Sequence, residues 1–151
     1  SSNNGFTIIE VALVLAIAGL IFLVVFLALP ALQNSQKDTA RRQDVGRVVT
    51  AIENYYADGG SSSSLTSSTL AGYVKRADLA EKEPITVYGP YTGQTTIMSV
   101  TWTGLNYVDI TIGEQCPPAG SNTWNSASSS TDFAVVTKLS NGTEYCINGS
   151  D

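Results

Sequence analysis

A chain of 151 residues has room for one membrane-length helix and one globular domain of about 90 residues, and for little else. Thirteen acidic against eight basic residues give a net charge of −5, which disfavours nucleic acid as a general partner. With no histidine there is no His-based triad, general base or His metal ligand, and neither a Gly-rich phosphate loop nor paired-cysteine metal spacing occurs. The composition therefore points away from an enzyme and gives no reason to expect a cofactor or a metal.

The chain opens with Ser1-Ser2-Asn3-Asn4-Gly5 and then turns apolar at Phe6. Residues 6–32 carry a single charge, Glu10, and the 22 residues from Val11 to Leu32 carry none. As a helix those 22 residues cover about 33 Å, enough to cross the hydrocarbon of a bilayer. A carboxylate in such a segment costs roughly 2.5–3.5 kcal/mol at mid-bilayer and less near the interface, so a partner for Glu10 is expected. Gly19 and Pro30 are the weak points of this helix: Pro30 removes an amide donor, and Gly19 costs about 1 kcal/mol relative to alanine. In a membrane the two imply a tolerated kink.

The run Gly5-Phe6-Thr7-Ile8-Ile9-Glu10, followed by an apolar helix containing Gly19 and Pro30, resembles the N-terminus of type IV pilins and pseudopilins. The resemblance covers about the first 57 residues. It implies cleavage after Gly5 by a prepilin peptidase, N-methylation of Phe6, and pairing of Glu10 with the terminal amine of a neighbouring subunit. It also implies bundling of the apolar helices into a filament core, with the segment between Gly19 and Pro30 partly unwound. This chain departs from the family pattern in two ways. The basic residues usual before the Gly are missing, and Pro30 lies about three residues further from the Phe than is customary. Residues 1–5 are accordingly either a leader remnant or a retained tail. A retained tail would hold the terminal amine up to roughly 17 Å from the Phe6 nitrogen, at about 3.4 Å per extended residue.

Residues 33–58 continue the helix in amphipathic form. Val45, Val48, Val49, Ile52, Tyr55 and Tyr56 recur at three- and four-residue spacing, and Lys37, Asp38, Arg41, Arg42, Asp44, Arg47 and Glu53 are expected on the opposite face. Asp38 and Arg42 stand in the favourable acid-first i, i+4 order. Asp58-Gly59-Gly60 should end a helix near 75 Å long, its apolar half projecting and its amphipathic half packed beneath a sheet.

Residues 59–84 read as a polar loop region rich in serine, with a short helical turn over Leu79–Lys82 before Pro84. Residues 85–151 read as an antiparallel β-sheet with a C-terminal disulfide region. Strands are expected at Ile85–Tyr88, Thr95–Thr103, Asn106–Ile112, Asp132–Leu139 and Thr143–Ile147. Thr103-Gly104-Leu105 joins the second and third of these, and Ser140-Asn141-Gly142 joins the last two. Cys116 and Cys146 are either one disulfide in an oxidising compartment or two buried thiols; the export-type N-terminus favours the disulfide. Asp109, Glu114, Asp132, Glu144 and Asp151 are scattered enough to read as solvated surface rather than a Ca²⁺ cluster. Trp102, Trp124, Tyr88, Tyr91 and Tyr107 read as packing rather than an adhesive surface. Glycosylation-type triplets begin at Asn141 and Asn148, and the first is also the hairpin turn, whose chemistry explains it without a sugar.

The fold class is thus α+β, a long N-terminal helix with a small sheet, arranged as in pilins. The function that follows is structural: identical subunits polymerising through the apolar helix into a helical homopolymer, a type IV pilus serving adhesion, twitching motility or surface attachment. Such a subunit is held single-pass in the cytoplasmic membrane before the assembly machinery extracts it to the cell surface. Two alternatives stand beside it. One is a pseudopilin of type II secretion or a minor pilin; the other is a monomeric membrane-tethered adhesion domain.

Overall fold

The computed structural model describes residues 5–89, 107–118, 125–126 and 131–149. By its internal contacts the chain divides into two compact units, Ser1–Gln36 and Lys37–Asp151. Helix α1 runs over Ile8–Ala57, a span of 50 residues that includes Gly19 and Pro30 without a break. Its end follows from Gly59. That residue adopts φ +89°, its amide bonds to the Tyr56 carbonyl, and the Gly60 amide bonds to the Tyr55 carbonyl, each at 3.0 Å. This paired pattern closes the last turn, and the left-handed residue it needs is one that glycine supplies without a Cβ penalty.

The second unit is built on the amphipathic part of α1. Val45, Val48, Ile52 and Tyr55 are buried, with Val49 and Tyr56 packed alongside, as the stripe implies. They meet Val108, Ile110 and Ile112 of strand β2 (Val108–Ile112) and Phe133 and Val135 of strand β5 (Phe133–Lys138). Fully burying such side chains contributes roughly 1.5–3 kcal/mol each, which makes this layer the main stabilising term. The strands otherwise comprise β1 (Ile85–Tyr88), β3 (Glu114–Gln115), β4 (Asn125–Ser126) and β6 (Glu144–Gly149). The main sheet has the order β1-β2-β5-β6, and β3 pairs with β4 in a separate two-stranded ribbon.

The sheet is mixed where the sequence reads as antiparallel throughout: β1 runs parallel to β2, in register Ile85↔Val108. Parallel neighbours need a crossover of about a dozen residues or more, which the interval 89–107 supplies. The expected strand Thr95–Thr103, its connection to β2, Trp102, Trp124 and Tyr91 lie outside the described residues. The C-terminal hairpin forms as expected. Ser140-Asn141-Gly142 makes the turn, Gly142 takes φ +84°, and the Leu139 amide bonds the Thr143 carbonyl at 2.8 Å. Gly149 faces Phe133 across β5–β6, so close to the ring that a Cβ there would overlap it.

Residues 59–84 are more than a polar loop. Leu65, Leu70, Val74 and Leu79 are core residues. The helical pieces between them are a 3₁₀ turn at Ser62–Ser64, α2 at Ser67–Leu70 and a 3₁₀ turn at Arg76–Asp78. The last of these stands just ahead of the turn expected at Leu79–Lys82, because the Asp78 carboxylate accepts the Lys75 amide at 2.9 Å and caps it there. Tyr55 organises the serines: its hydroxyl donates to the Ser61 carbonyl at 3.1 Å and bonds the Ser64 hydroxyl at 2.8 Å.

The polar face of α1 also departs from expectation, since Arg41 and Asp44 are buried. Arg41 donates to the Lys138 carbonyl at 3.0 Å, and Asp44 accepts the amides of Ala80 and Glu81. Asp38 accepts both the amide and the hydroxyl of Ser140, at 2.8 and 2.7 Å, which holds its carboxyl below the usual range. Hydrogen bonding to loops sets these positions, which a helical wheel cannot reveal.

On the sheet face away from α1, Tyr107, Ala134 and Val136 cluster with Cys116 and Cys146. The two cysteines form the disulfide. Asp109 of β2 and Glu114 of β3, expected on the solvated surface, are both buried. Burial pushes the Asp109 carboxyl up to about 7 against the opposing bond from Thr86, and it also raises Glu114. A carboxyl raised in the folded state stabilises fully below its unfolded pKa, and that contribution is lost as pH rises through the folded value. Stability of the full chain in detergent micelles should therefore fall between about pH 4 and pH 7. Urea midpoints across that range should show a smaller fall for Asp109→Asn. Reducing the Cys116–Cys146 bridge, which spans a sequence separation of 30, should cost about 3–4 kcal/mol, read as a lower urea midpoint in dithiothreitol.

Candidate functional site: the exposed apolar helix

Among its described residues the first unit has no core. From Ile8 to Leu32 every residue except Ala18 is exposed, and eighteen large apolar side chains between Phe6 and Leu32 face outward, Phe6 itself at 88 %. The most apolar stretch of α1 has a mean hydropathy of 3.2 and none of it is buried within the chain, so one helix is long and apolar enough to cross a membrane. At roughly 1.5–3 kcal/mol per side chain, the cost of leaving this surface in water is on the order of 30 kcal/mol, several times the stability of an ordinary domain. The segment requires lipid or other protein.

Phe6 and Glu10 lie together at the start of this surface. With Val11, Val14 and Leu15 they border an open apolar hollow of about 410 Å³. Glu10 also has a partner within its own chain. The Thr7 amide donates to Glu10 Oε2 and the Glu10 amide donates to Thr7 Oγ1, both at 3.2 Å. Thr7 is thus the N-cap and Glu10 the third helical residue of a reciprocal capping box, and the carboxylate sits at the positive end of the helix. The signal was present in the sequence as Thr-x-x-Glu ahead of an apolar run.

Gly5 and Phe6, the expected processing pair, are both exposed and precede the helix. Gly19 has nothing within 4 Å of where a Cβ would stand, so no packing inside the chain explains the glycine. Pro30 lies within α1 and leaves the Phe26 carbonyl without its usual amide donor. The segment between the two is helical in the single chain, not unwound. The basic residues beyond it serve the second unit: Arg42 stacks 5.5 Å over Tyr145, and Arg47 donates to the Asp78 carbonyl at 2.8 Å. Among the described residues no group of three Cys, Asp or Glu side chains is placed to hold a metal ion.

Comparison of the chain with protein-family models, with curated proteins and with solved structures gives no match. The layout is a long N-terminal apolar helix followed by a small mixed sheet, a layout compatible with that of pilins.

Losing the capping box should fray the helix start. For Thr7→Ala, amide exchange at Glu10 and Val11, the two amides bonded to Thr7, should quicken in micelles by about fivefold to tenfold, matching the roughly 1 kcal/mol of an N-cap, while amides of β5 stay unchanged.

Proposed function

We propose that this chain is a structural subunit that polymerises through its N-terminal apolar helix into a surface filament of the type IV pilus kind. The observation that carries the reading is the run of eighteen exposed apolar side chains on a helix that finds no partner in its own chain. Three further features support it. The run begins with Phe6 and one carboxylate, Glu10, beside an open apolar hollow able to accept a side chain from another subunit. Gly19 has unused space at its Cβ, which suits a second helix lying close. The second unit carries a disulfide, the mark of an exported domain.

In this reading the helix resides in the cytoplasmic membrane until the assembly machinery transfers it to the growing fibre. There it is buried against copies of itself through a heterologous contact that does not close. Glu10 sets the register by pairing with the amino terminus of a neighbour, and cleavage after Gly5 makes Phe6 that terminus. The role is structural, not enzymatic, and its partners are identical subunits, a prepilin-type peptidase and the assembly machinery.

The test is to shear cells expressing the chain, image the released filaments, and identify their dominant subunit by intact mass and N-terminal sequencing. A filament composed mainly of this chain and starting at Phe6 is expected. Glu10→Ala should reduce filament number at least tenfold with the second unit still folded. Protein found only as dispersed single-pass monomers would instead favour a membrane-tethered domain, and a trace component would favour a minor pilin or pseudopilin.

A further inference from the structure

Helix α1 carries a second acid whose surroundings the assembly reading leaves unused. Asp44 has no solvent exposure; its oxygens accept the Ala80 amide at 2.7 Å and the Glu81 amide at 3.0 Å, and Arg47 approaches to 3.7 Å. Glu83 is equally inaccessible, yet neither of its carboxyl oxygens receives a hydrogen bond. The acid acting on it is Asp44, which accepts the amides of Ala80 and Glu81, three and two residues ahead of Glu83.

Two carboxylates cannot bond to each other, because both only accept; a carboxylic acid and a carboxylate can. Of this pair Asp44 is the member with donors already in place, two amides aimed at it and a guanidinium beside it. The proton therefore belongs on Glu83. Burial, followed by the proximity of Asp44 and Glu81, raises the Glu83 carboxyl to about 7, while its own backbone opposes the shift.

The backbone around Glu83 is also poised. Lys82 has φ +51°, the left-handed region that non-glycine residues avoid. The turn is fastened by the two amides on Asp44 and by Arg76, which donates to the Lys82 carbonyl. The other charged groups nearby are Arg47 on α1, Glu81 and Lys82 in the turn, and Asp78 in the preceding 3₁₀ turn. Strand β1, which follows, brings no charged residue. None of these cations bonds a Glu83 oxygen.

We infer that Asp44 and Glu83 share one proton, and that this proton latches the turn 79–84 onto helix α1 and frees it when lost at alkaline pH. Deprotonation places two anions together without water, and the turn can relieve both the repulsion and the strain at Lys82 by lifting away. Lifting would uncover core residue Leu79. Leu79 belongs to the core cluster packed on α1, so its exposure would change the surface there. The surface the second unit presents along α1 would then depend on pH, whether or not the chain polymerises.

The test is amide exchange on the full chain in detergent micelles, expressed as protection over the intrinsic rate at each pH. Between pH 5.5 and 8.5 protection of Ala80 and Glu81 should fall at least tenfold, while Val135 in β5 keeps its own. Glu83→Gln, whose side-chain amide donates to Asp44 at every pH, should abolish the fall. Flat protection in the unmodified chain, or the same fall in the variant, would overturn the inference. Should the variant lose protection at Val135 and so fail to fold, the ¹³C carboxyl titration of Glu83 in the unmodified chain decides. A midpoint near 7 upholds the shared proton, and a midpoint near 4.5 ends it.

Discussion

Unrelieved apolar surface is the constraint from which the other properties of this protein follow. A helix that presents eighteen large hydrophobic side chains, with nothing from its own chain to cover them, has no stable existence in water. Lipid satisfies it, and so does a sheath of other helices, because both remove the same area from water. Moving between the two costs little in hydrophobic terms, which suits a subunit stored in a membrane and built into a fibre. Specificity in such a transfer has to come from the few groups that are not apolar. In residues 6–32 the charged one is Glu10.

The capping box alters how Glu10 should be understood. A bare carboxylate in apolar surroundings would be penalised heavily, but this one already accepts the Thr7 amide at the positive end of the helix. One oxygen is engaged within the chain, and in the proposed assembly the other would serve a neighbour. The same side chain can thus order the start of its own helix and still offer charge to a partner, and Thr7 becomes a positioning residue for it. An N-cap is worth about 1 kcal/mol, less than the cost of a mid-bilayer charge, so the cap eases the penalty without removing it.

The second unit solves a different problem, that of a small domain with a thin core. Its apolar layer between α1 and the sheet is reinforced by buried and half-buried polar groups, each tied to a specific loop. Asp38 holds the β5–β6 turn through Ser140, Arg41 holds the end of β5, and Asp44 holds the 79–81 backbone. Buried charges stabilise only when hydrogen-bonded, and these are bonded to backbone, which fixes loop positions more than it adds stability. Glu83 is the exception that lacks such a partner. Across the sheet the disulfide joins the chain leaving β3 to β6 and restricts the unfolded ensemble of a domain that buries little.

Periodicity determined the helix, its change of character near residue 33, its end at Gly59 and the apolar stripe from Val45 to Tyr56. These are local facts, written by 3.6-residue spacing and by glycine's access to positive φ. The C-terminal hairpin was equally legible, because Asn141-Gly142 between two alternating runs leaves few other conformations. With two cysteines one pairing was possible, and the export-type N-terminus favoured it over free thiols. Tertiary structure alone decided that β1 lies parallel to β2, that Arg41, Asp44, Asp109 and Glu114 are buried, and that the serine-rich region carries four core residues. Each of those depends on which distant backbone group comes within hydrogen-bond reach, or on which strand a long connection lets the chain rejoin. Spacing along a single chain records neither, since both are properties of segments that meet only when the fold is complete.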